Sequence, residues 1–297
     1  MSIQATLKGR KAYKAHGNGD YAGAMKLYEE AYAEGMDNPR WILGYTVLLL
    51  RDGQYQKARE ILVKLQKHPA LAPDQKIQLF VNYSAAVFRM GDLEKGVSLL
   101  ERQHAHNPCG LLYQTLGYLY VEKFSPERTP DFDALEAEAR AKAEAEAAAK
   151  AAEAAEASEG AEDAEGAEEK AEPAPAEPAV PEKPLREAWR EDMDKAEAFI
   201  RESIDYDDED SVCLDNMGQW LYRVRGDKAA AREWFEKALK QKENQIDTLW
   251  FLSRYDLEAG DRAAARKKIE TILEGRFSPL NYVTRSMAEE ELARLKG

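Results

Sequence analysis

Cysteine is almost absent from this chain: Cys109 and Cys213 are the only two in 297 residues. Two are too few for a disulfide framework. Both fall where a helix is expected to begin after a loop, which suits structural thiols that behave as small buried hydrophobes. Long hydrophobic runs are missing too. The longest, WILGYTVLLL at Trp41 to Leu50, has ten residues, about half of what a membrane-spanning helix needs. Residues 1–20 hold no apolar core followed by a small-residue cleavage site, so no secretory signal is expected and a soluble cytoplasmic protein is. Positive charge is not in surplus either, since 42 Lys and Arg face 55 Asp and Glu. Gly and Pro are modest in number, and alternating Val-rich runs do not occur. What remains is rich in Ala, Glu, Leu, Lys and Arg, the strong helix formers, and an all-α protein is expected.

The formal charge of −13 is unevenly spread. Residues 131–184 carry 17 acidic and 5 basic side chains, a net of −12, and the rest of the chain carries 38 and 37, a net of −1. The folded part is therefore nearly neutral and the acidity belongs to one low-complexity segment. Neither part offers the basic surface that phosphate binding requires, so nucleic acid is not an expected partner.

Catalytic and metal-binding patterns are also scarce. His104 and His106 are two apart, which turns them to different faces of a helix rather than toward one metal. His16 and His68 suit helix ends, where partial positive charge is favoured. Asp205, Asp207 and Glu209 imitate the start of a calcium loop. That loop needs Gly at its sixth position and Glu at its twelfth, which here are Asp210 and Asn216. A solvated turn with Asp210 or Ser211 capping the next helix is the expectation. Phosphate-cradling glycine loops, GxSxG elbows and zinc-ligand clusters do not appear. No enzyme activity, cofactor or metal is expected.

What is present is a repeat. The strings GDYAGAMKLYEEA from Gly19, GDLEKGVSLLERQ from Gly91, GDKAAAREWFEKA from Gly226 and GDRAAARKKIETI from Gly260 share one plan, and GQYQKAREILVKL from Gly53 is a variant. Gly53 lies 34 residues after Gly19, Gly260 lies 34 after Gly226, and Gly91 lies 38 after Gly53. Glycine can end a helix in the left-handed conformation that side chains resist, and the following Asp can cap the next helix. Small residues at Ala24, Ala58, Gly96, Ala231 and Ala265 would let paired helices approach. Tyr28, Leu62, Leu100, Phe235 and Ile269, four positions later, would fill the space between them. Such hairpins cannot bury their apolar faces alone and must stack.

The period, the Gly-Asp turns, the LGYLY string at Leu116 to Tyr120 and the closing prolines Pro39, Pro69, Pro108 and Pro279 resemble the tetratricopeptide repeat family. The resemblance covers about Ala5 to Pro279 apart from the acidic segment. It departs from the pattern in the first unit, with Lys8 and Lys11 at usually apolar positions, and at Gly218 to Gly226, which is one residue too long. It implies an α-solenoid of about six stacked hairpins with a C-terminal capping helix, acting as a protein-binding scaffold or adaptor.

One half of a hairpin is displaced. Gly91 to Gly226 spans 135 residues, two periods plus 67. The helix from Leu111, with Tyr113, Leu116, Gly117 and Tyr120 on its seam, and the helix at REAWREDMDKAEAFIRESI, with Ala196 as its small contact, are expected to form the fourth hairpin around an insert. Loop closure costs grow slowly enough to tolerate this. The expected division is 1–124 for repeats one to three and half of the fourth, 125–185 for the insert, 186–279 for the remaining repeats and 280–297 for the capping helix. Within the insert a helix capped by Thr129 is expected over about 130–157, anchored by Phe132 and Leu135. A flexible return rich in Ala, Glu and Pro (Pro173, Pro175, Pro178, Pro181, Pro184) should follow.

If first helices line a concave face, the residues one step beyond the seam should be exposed there. These are Leu43, Val47 and Leu50, then Val81, Ala85 and Phe88, then Gln114, Tyr118 and Val121. The fifth repeat adds Asp215, Gln219 and Tyr222, and the sixth Trp250, Arg254 and Leu257. An open groove this apolar implies something that covers it, either a partner or the terminal helix. One subgroup of the family clamps chaperone C-terminal carboxylates with Lys, Asn and Arg on this face. Here it carries aliphatic and aromatic residues with Arg254 as its one cation, so an apolar peptide or amphipathic helix fits better. The site residues expected to bind protein are therefore Leu43, Val47, Leu50, Val81, Phe88, Tyr118, Tyr222, Trp250 and Arg254. The competing expectation is a self-assembling subunit.

Overall fold

Helices end and restart where the repeat pattern places its glycines. In the computed structural model, which describes residues 2–159 and 184–296, Gly19, Gly53, Gly91, Gly226 and Gly260 all have positive φ, between 71° and 95°. Gly19 donates to His16 O and Asp20 to Ala15 O, the paired bonds that close a helix on a left-handed residue. The same pair recurs at Gly91 and at Gly260. The Asp side chain then caps the next helix: Asp20 accepts from Gly23 N at 2.9 Å, Asp92 from Lys95 N, Asp227 from Ala230 N and Asp261 from Ala264 N. Gln54, which replaces Asp in the second unit, makes no side-chain cap.

Fourteen α-helices follow among the described residues. Six hairpins are formed by α1 (Ile3–Gly17) with α2 (Tyr21–Ala33), α3 (Pro39–Arg51) with α4 (Tyr55–Leu65), α5 (Pro73–Arg89) with α6 (Leu93–His106), α7 (Gly110–Lys123) with α9 (Leu185–Tyr206), α10 (Ser211–Gln219) with α11 (Lys228–Gln241), and α12 (Ile246–Glu258) with α13 (Arg262–Glu274). The insertion carries α8 (Phe132–Glu159), and α14 (Arg285–Lys296) caps the array. The fold is an all-α solenoid. Ala24, Ala58, Ala231 and Ala265 are fully buried, as are Tyr28, Leu62, Leu100, Phe235 and Ile269. At Gly96 an added Cβ would stand 3.3 Å from Ser84 O, so α5 and α6 approach as a small residue permits.

The chain divides into two compact units, Met1–Arg128 with Ala196–Gly297, and Thr129–Lys195. In the first, α7 packs on the 196–206 part of α9. Phe199 lies 5.3 Å from both Tyr113 and Tyr120, and the Tyr113 hydroxyl donates to Glu202. Ala196 and Ile200 on the same stretch of α9 are buried.

In the second unit, α8 starts at Phe132, behind Asp131 rather than Thr129: the Asp131 carboxylate accepts from Ala134 N at 3.1 Å. Phe132 stacks edge-on against Trp189 at 5.9 Å with the Arg186 guanidinium over its ring, and Leu135 is exposed rather than an anchor. The flexible return expected beyond Ser158, with Pro173, Pro175, Pro178 and Pro181, lies outside the described residues.

The surplus residue between Gly218 and Gly226 is absorbed inside a helix. Residues Trp220–Arg225 continue α10 as a π-helical turn, whose wider coil accommodates one extra residue. Asp227 N accordingly reaches back six residues, to Leu221 O, where Asp20, Asp92 and Asp261 reach back five.

Candidate protein-binding groove

Five first helices turn one face each toward a shared cavity of about 620 Å³. α3 is started by Asn38 and Pro39, α5 by Pro73 and α10 by Asp210, whose carboxylate accepts from Val212 N and Cys213 N. From those starts, helical spacing brings Val47 and Leu50, Val81 and Ala85, Gln114 and Tyr118, and Asp215 and Gln219 to the cavity wall. Asp247, at the start of α12, completes it.

The opposite wall is the chain's own. Between α13 and α14 the backbone is irregular, and Ser278, Pro279, Leu280 and Asn281 line the same cavity. A turn closes there, with Asn281 N donating to Ser278 O and Ser278 N to Asn281 Oδ1. Leu280 packs on the apolar clusters of repeats one to three and of repeats three and four. Tyr282 stacks on Phe251 at 5.4 Å, and the Arg223 guanidinium sits 4.0 Å from its ring centroid. Arg89 donates through Nε to Pro279 O at 2.6 Å and through Nη2 to Asn281 O at 2.7 Å. The Asp247 carboxylate accepts from Asn281 Nδ2, Tyr282 N and Val283 N, all at 3.0–3.1 Å.

The expected face is largely closed. Leu43, Leu50, Val81, Phe88 and Tyr118 are buried rather than open, and Val47 is half-buried. Leu50, Val81 and Tyr118 do line the cavity, whereas Leu43 and Phe88 do not. Phe88 meets Tyr118 edge-on at 6.0 Å, with the Arg89 and Arg128 guanidinium groups over its ring.

Tyr222 is turned away from the cavity, packed on Phe251 at 5.0 Å and near Phe235 and Tyr255. The π-helical turn is the reason: the extra residue carries Arg223 into the register that Tyr222 was expected to hold. Arg223 there pairs with Glu122 of α7 at 2.7 Å and donates to Gln219. Trp250 and Arg254 belong to the junction with the capping helix. Trp250 packs against the apolar cluster that holds Ile246, Val283 and Ala288, and Arg254 pairs with Glu291 of α14 at 3.1 Å. The capping helix begins at Arg285, five residues later than expected from the sequence, because residues 280–284 are held in the irregular segment.

Sequence reasoning placed Gln114, Asp215 and Gln219 on this face but missed the polar bonds that cross the array. Gln78 donates to Asn82 and Asn82 to Thr46, tying α5 to α3. Asn216 donates to Gln114 O, tying α10 to α7. Gly117 makes room there, since a Cβ would stand 2.9 Å from Asn216 Nδ2. Asp215 accepts from Gln219 and from Thr248 of α12. Burial, and then the neighbouring Asp247 charge, push the Asp215 carboxyl up to about 7. Asp247 is raised too, by burial, against the pull of its hydrogen bonds from Asn281, Val283 and Tyr282. The available signal was Gln114, Asp215 and Gln219 themselves, polar residues on a face otherwise read as apolar.

The remaining candidate groups have packing roles. Burial pushes the Cys213 thiol up to about 12, so it is no nucleophile at neutral pH. His104 packs between Tyr113 at 4.6 Å and Phe199 at 4.9 Å. Among the described residues no group of three or more His, Cys, Asp or Glu is placed to hold a metal ion, and no helix is long and apolar enough to cross a membrane.

A family model for the tetratricopeptide repeat matches residues 15–76. No match was found among curated proteins. Among solved structures, the chain is similar to TTC0263, a thermophilic TPR protein of Thermus thermophilus. That match has 13% identity and a TM-score of 0.53 over 87% of this chain and 99% of that one. It is also similar to PilW, a widely conserved type IV pilus biogenesis factor, at 12% identity and a TM-score of 0.52 over the whole of both chains. At these identities the likeness is one of fold.

Proposed function

From the premise that the chain is a tetratricopeptide-repeat protein, we propose that it is a scaffold or adaptor that binds a partner protein through the face made by its first helices. Repeats of this family generally mediate protein–protein interaction, and this chain's repeats leave a cavity of about 620 Å³ on that face. That cavity carries the reading. Its lining mixes apolar side chains (Val47, Leu50, Val81) with amides (Gln78, Gln114), the combination that holds a peptide side chain while satisfying its backbone. The test is photo-crosslinking in the source cell, with a photoreactive residue at Gln78 or Gln114 and a control at the exposed Glu101 of α6. One protein captured from both cavity positions and not from Glu101 supports the reading. Capture from Glu101 alone places recognition elsewhere and ends it.

Self-assembly is the second reading, and exposed Ile3 and Leu7, four residues apart on α1, favour it. Light scattering separates the two: a monomer across a hundredfold range of concentration removes self-assembly.

A further inference from the structure

The segment 278–283, whose first four residues form a wall of the cavity, is built unlike a core segment. Leu280 and Tyr282 are only half-buried, as is Pro279, and only Val283 at the end of the segment is enclosed. Cores leave few voids larger than a water molecule, yet about 620 Å³ remains open between this segment and the first helices. The bonds that hold the segment are those a receptor makes to any peptide. Arg89 takes two backbone carbonyls, Pro279 O and Asn281 O, and Asp247 takes two backbone amides, Tyr282 N and Val283 N. Three contacts read side chains: Asn281 Nδ2 on Asp247, the Tyr282 ring under Arg223, and Leu280 on the apolar clusters of repeats one to four.

The geometry points to residues 278–283 as an intramolecular ligand. We infer that this segment occupies the groove in the resting chain and that the partner is a peptide of the same chemistry. Such a peptide carries a Ser-Pro-Leu-Asn-type turn with an apolar residue at its tip and an aromatic residue next after the turn. Its carbonyls are received by Arg89, its amides by Asp247 and its ring by Arg223. Binding then requires displacement of the chain's own copy, so the apparent affinity is lowered by the fraction of chains in which the groove is free. This deepens the groove reading and rests on it.

The probe is a fluorescein-labelled synthetic peptide, FSPLNYV, corresponding to residues 277–283, titrated against the full chain. In the double variant Leu280→Ser/Tyr282→Ser the internal copy loses two of its three side-chain contacts and keeps that of Asn281 on Asp247, while Val283 and α14 are untouched. The labelled peptide is expected to bind this variant at least tenfold more tightly than the wild type. Adding Arg223→Met should weaken the gain. A variant that keeps its helical circular dichroism and binds the peptide no better than the wild type overturns the inference.

If the variant fails to fold, hydrogen exchange of the wild type decides. A displaceable segment exposes the Tyr282 and Val283 amides by local opening, so they should exchange at least a hundredfold faster than the Phe251 and Leu252 amides of α12. Equal protection means that the segment opens only with the whole fold and overturns the inference. The groove reading fails separately, when crosslinking from Gln78 and Gln114 captures nothing that Glu101 does not.

Discussion

At the scale of single residues, the chemistry of this protein is concentrated in its exceptions to apolar packing. Asp215 is the clearest. Its carboxyl is raised from an ordinary 3.8 to about 7, first by burial and then by Asp247, against hydrogen bonds from Thr248 and Gln219 and the charge of Lys242. Between about pH 4 and pH 7 the folded chain therefore keeps a proton that the unfolded chain has released. Stability from this group falls as pH rises through that window and stays lower above it. Asp215→Asn should raise the melting temperature at pH 8 and change it little at pH 4.5. An equal effect at both values would show that Asp215 is ionised without penalty.

Gly91 tests the turn logic instead. Its φ is +95° and an added Cβ would meet nothing within 4 Å, so any cost is conformational alone. Gly91→Val is expected to destabilise by about 1–2 kcal/mol or more in urea titration. An unchanged midpoint would mean that the backbone relaxes freely there.

At the scale of elements, the π-helical turn at Trp220–Arg225 decides which side chain points toward α7 and Tyr282. The one-residue excess was legible in the sequence as a spacing anomaly, but its consequence was not. Repeat arithmetic gives a count, whereas the count says nothing of whether the surplus swells a loop or widens a helix. Once the helix widens, Arg223 replaces Tyr222 and reaches Glu122 across to α7. Both partners of that ion pair are nearly enclosed. Removing one partner strands the other charge, at a cost of about 3–5 kcal/mol, whereas removing both is often close to neutral. Glu122→Gln/Arg223→Met should therefore melt above Arg223→Met alone, with part of the loss remaining because Tyr282 also stacks on Arg223. If the double variant is the worse of the two, the pair is not what joins the two helices.

At the scale of the whole molecule, the hairpins were legible because a Gly-Asp turn, a small contact residue and a large filler recur at fixed offsets, each with its own local physics. The groove was legible only as a face: helical phase placed Val47, Leu50, Val81 and Tyr118 on it, but nothing in the periodicity announced that residues 278–283, some 190 positions from Arg89, would cover it. Long-range closure of that kind is written in isolated polar residues such as Asp247 and Arg89, which have no period. The acidic insertion is the opposite case, since composition alone separates it. The side chains of α8 are exposed for most of the length over which they are described. The fourth hairpin, by contrast, is held within the first unit: Phe199 against Tyr113 and Tyr120, and Glu197 accepting from Trp220 Nε1 at 3.0 Å and from Arg225 at 2.7 Å. None of these contacts involves residues 131–184. Replacing that stretch with a short Gly-Ser linker is therefore expected to leave the array folded, with unfolding still a single cooperative step. The expected change in melting temperature is no more than about 2–4 °C, the scale of ~1 kcal/mol in a domain of this size. The Phe132–Trp189 contact is lost in the replacement. A broad or two-step transition would show that this contact, or another from the insertion, stabilises α9 and with it the join between the two halves of the solenoid.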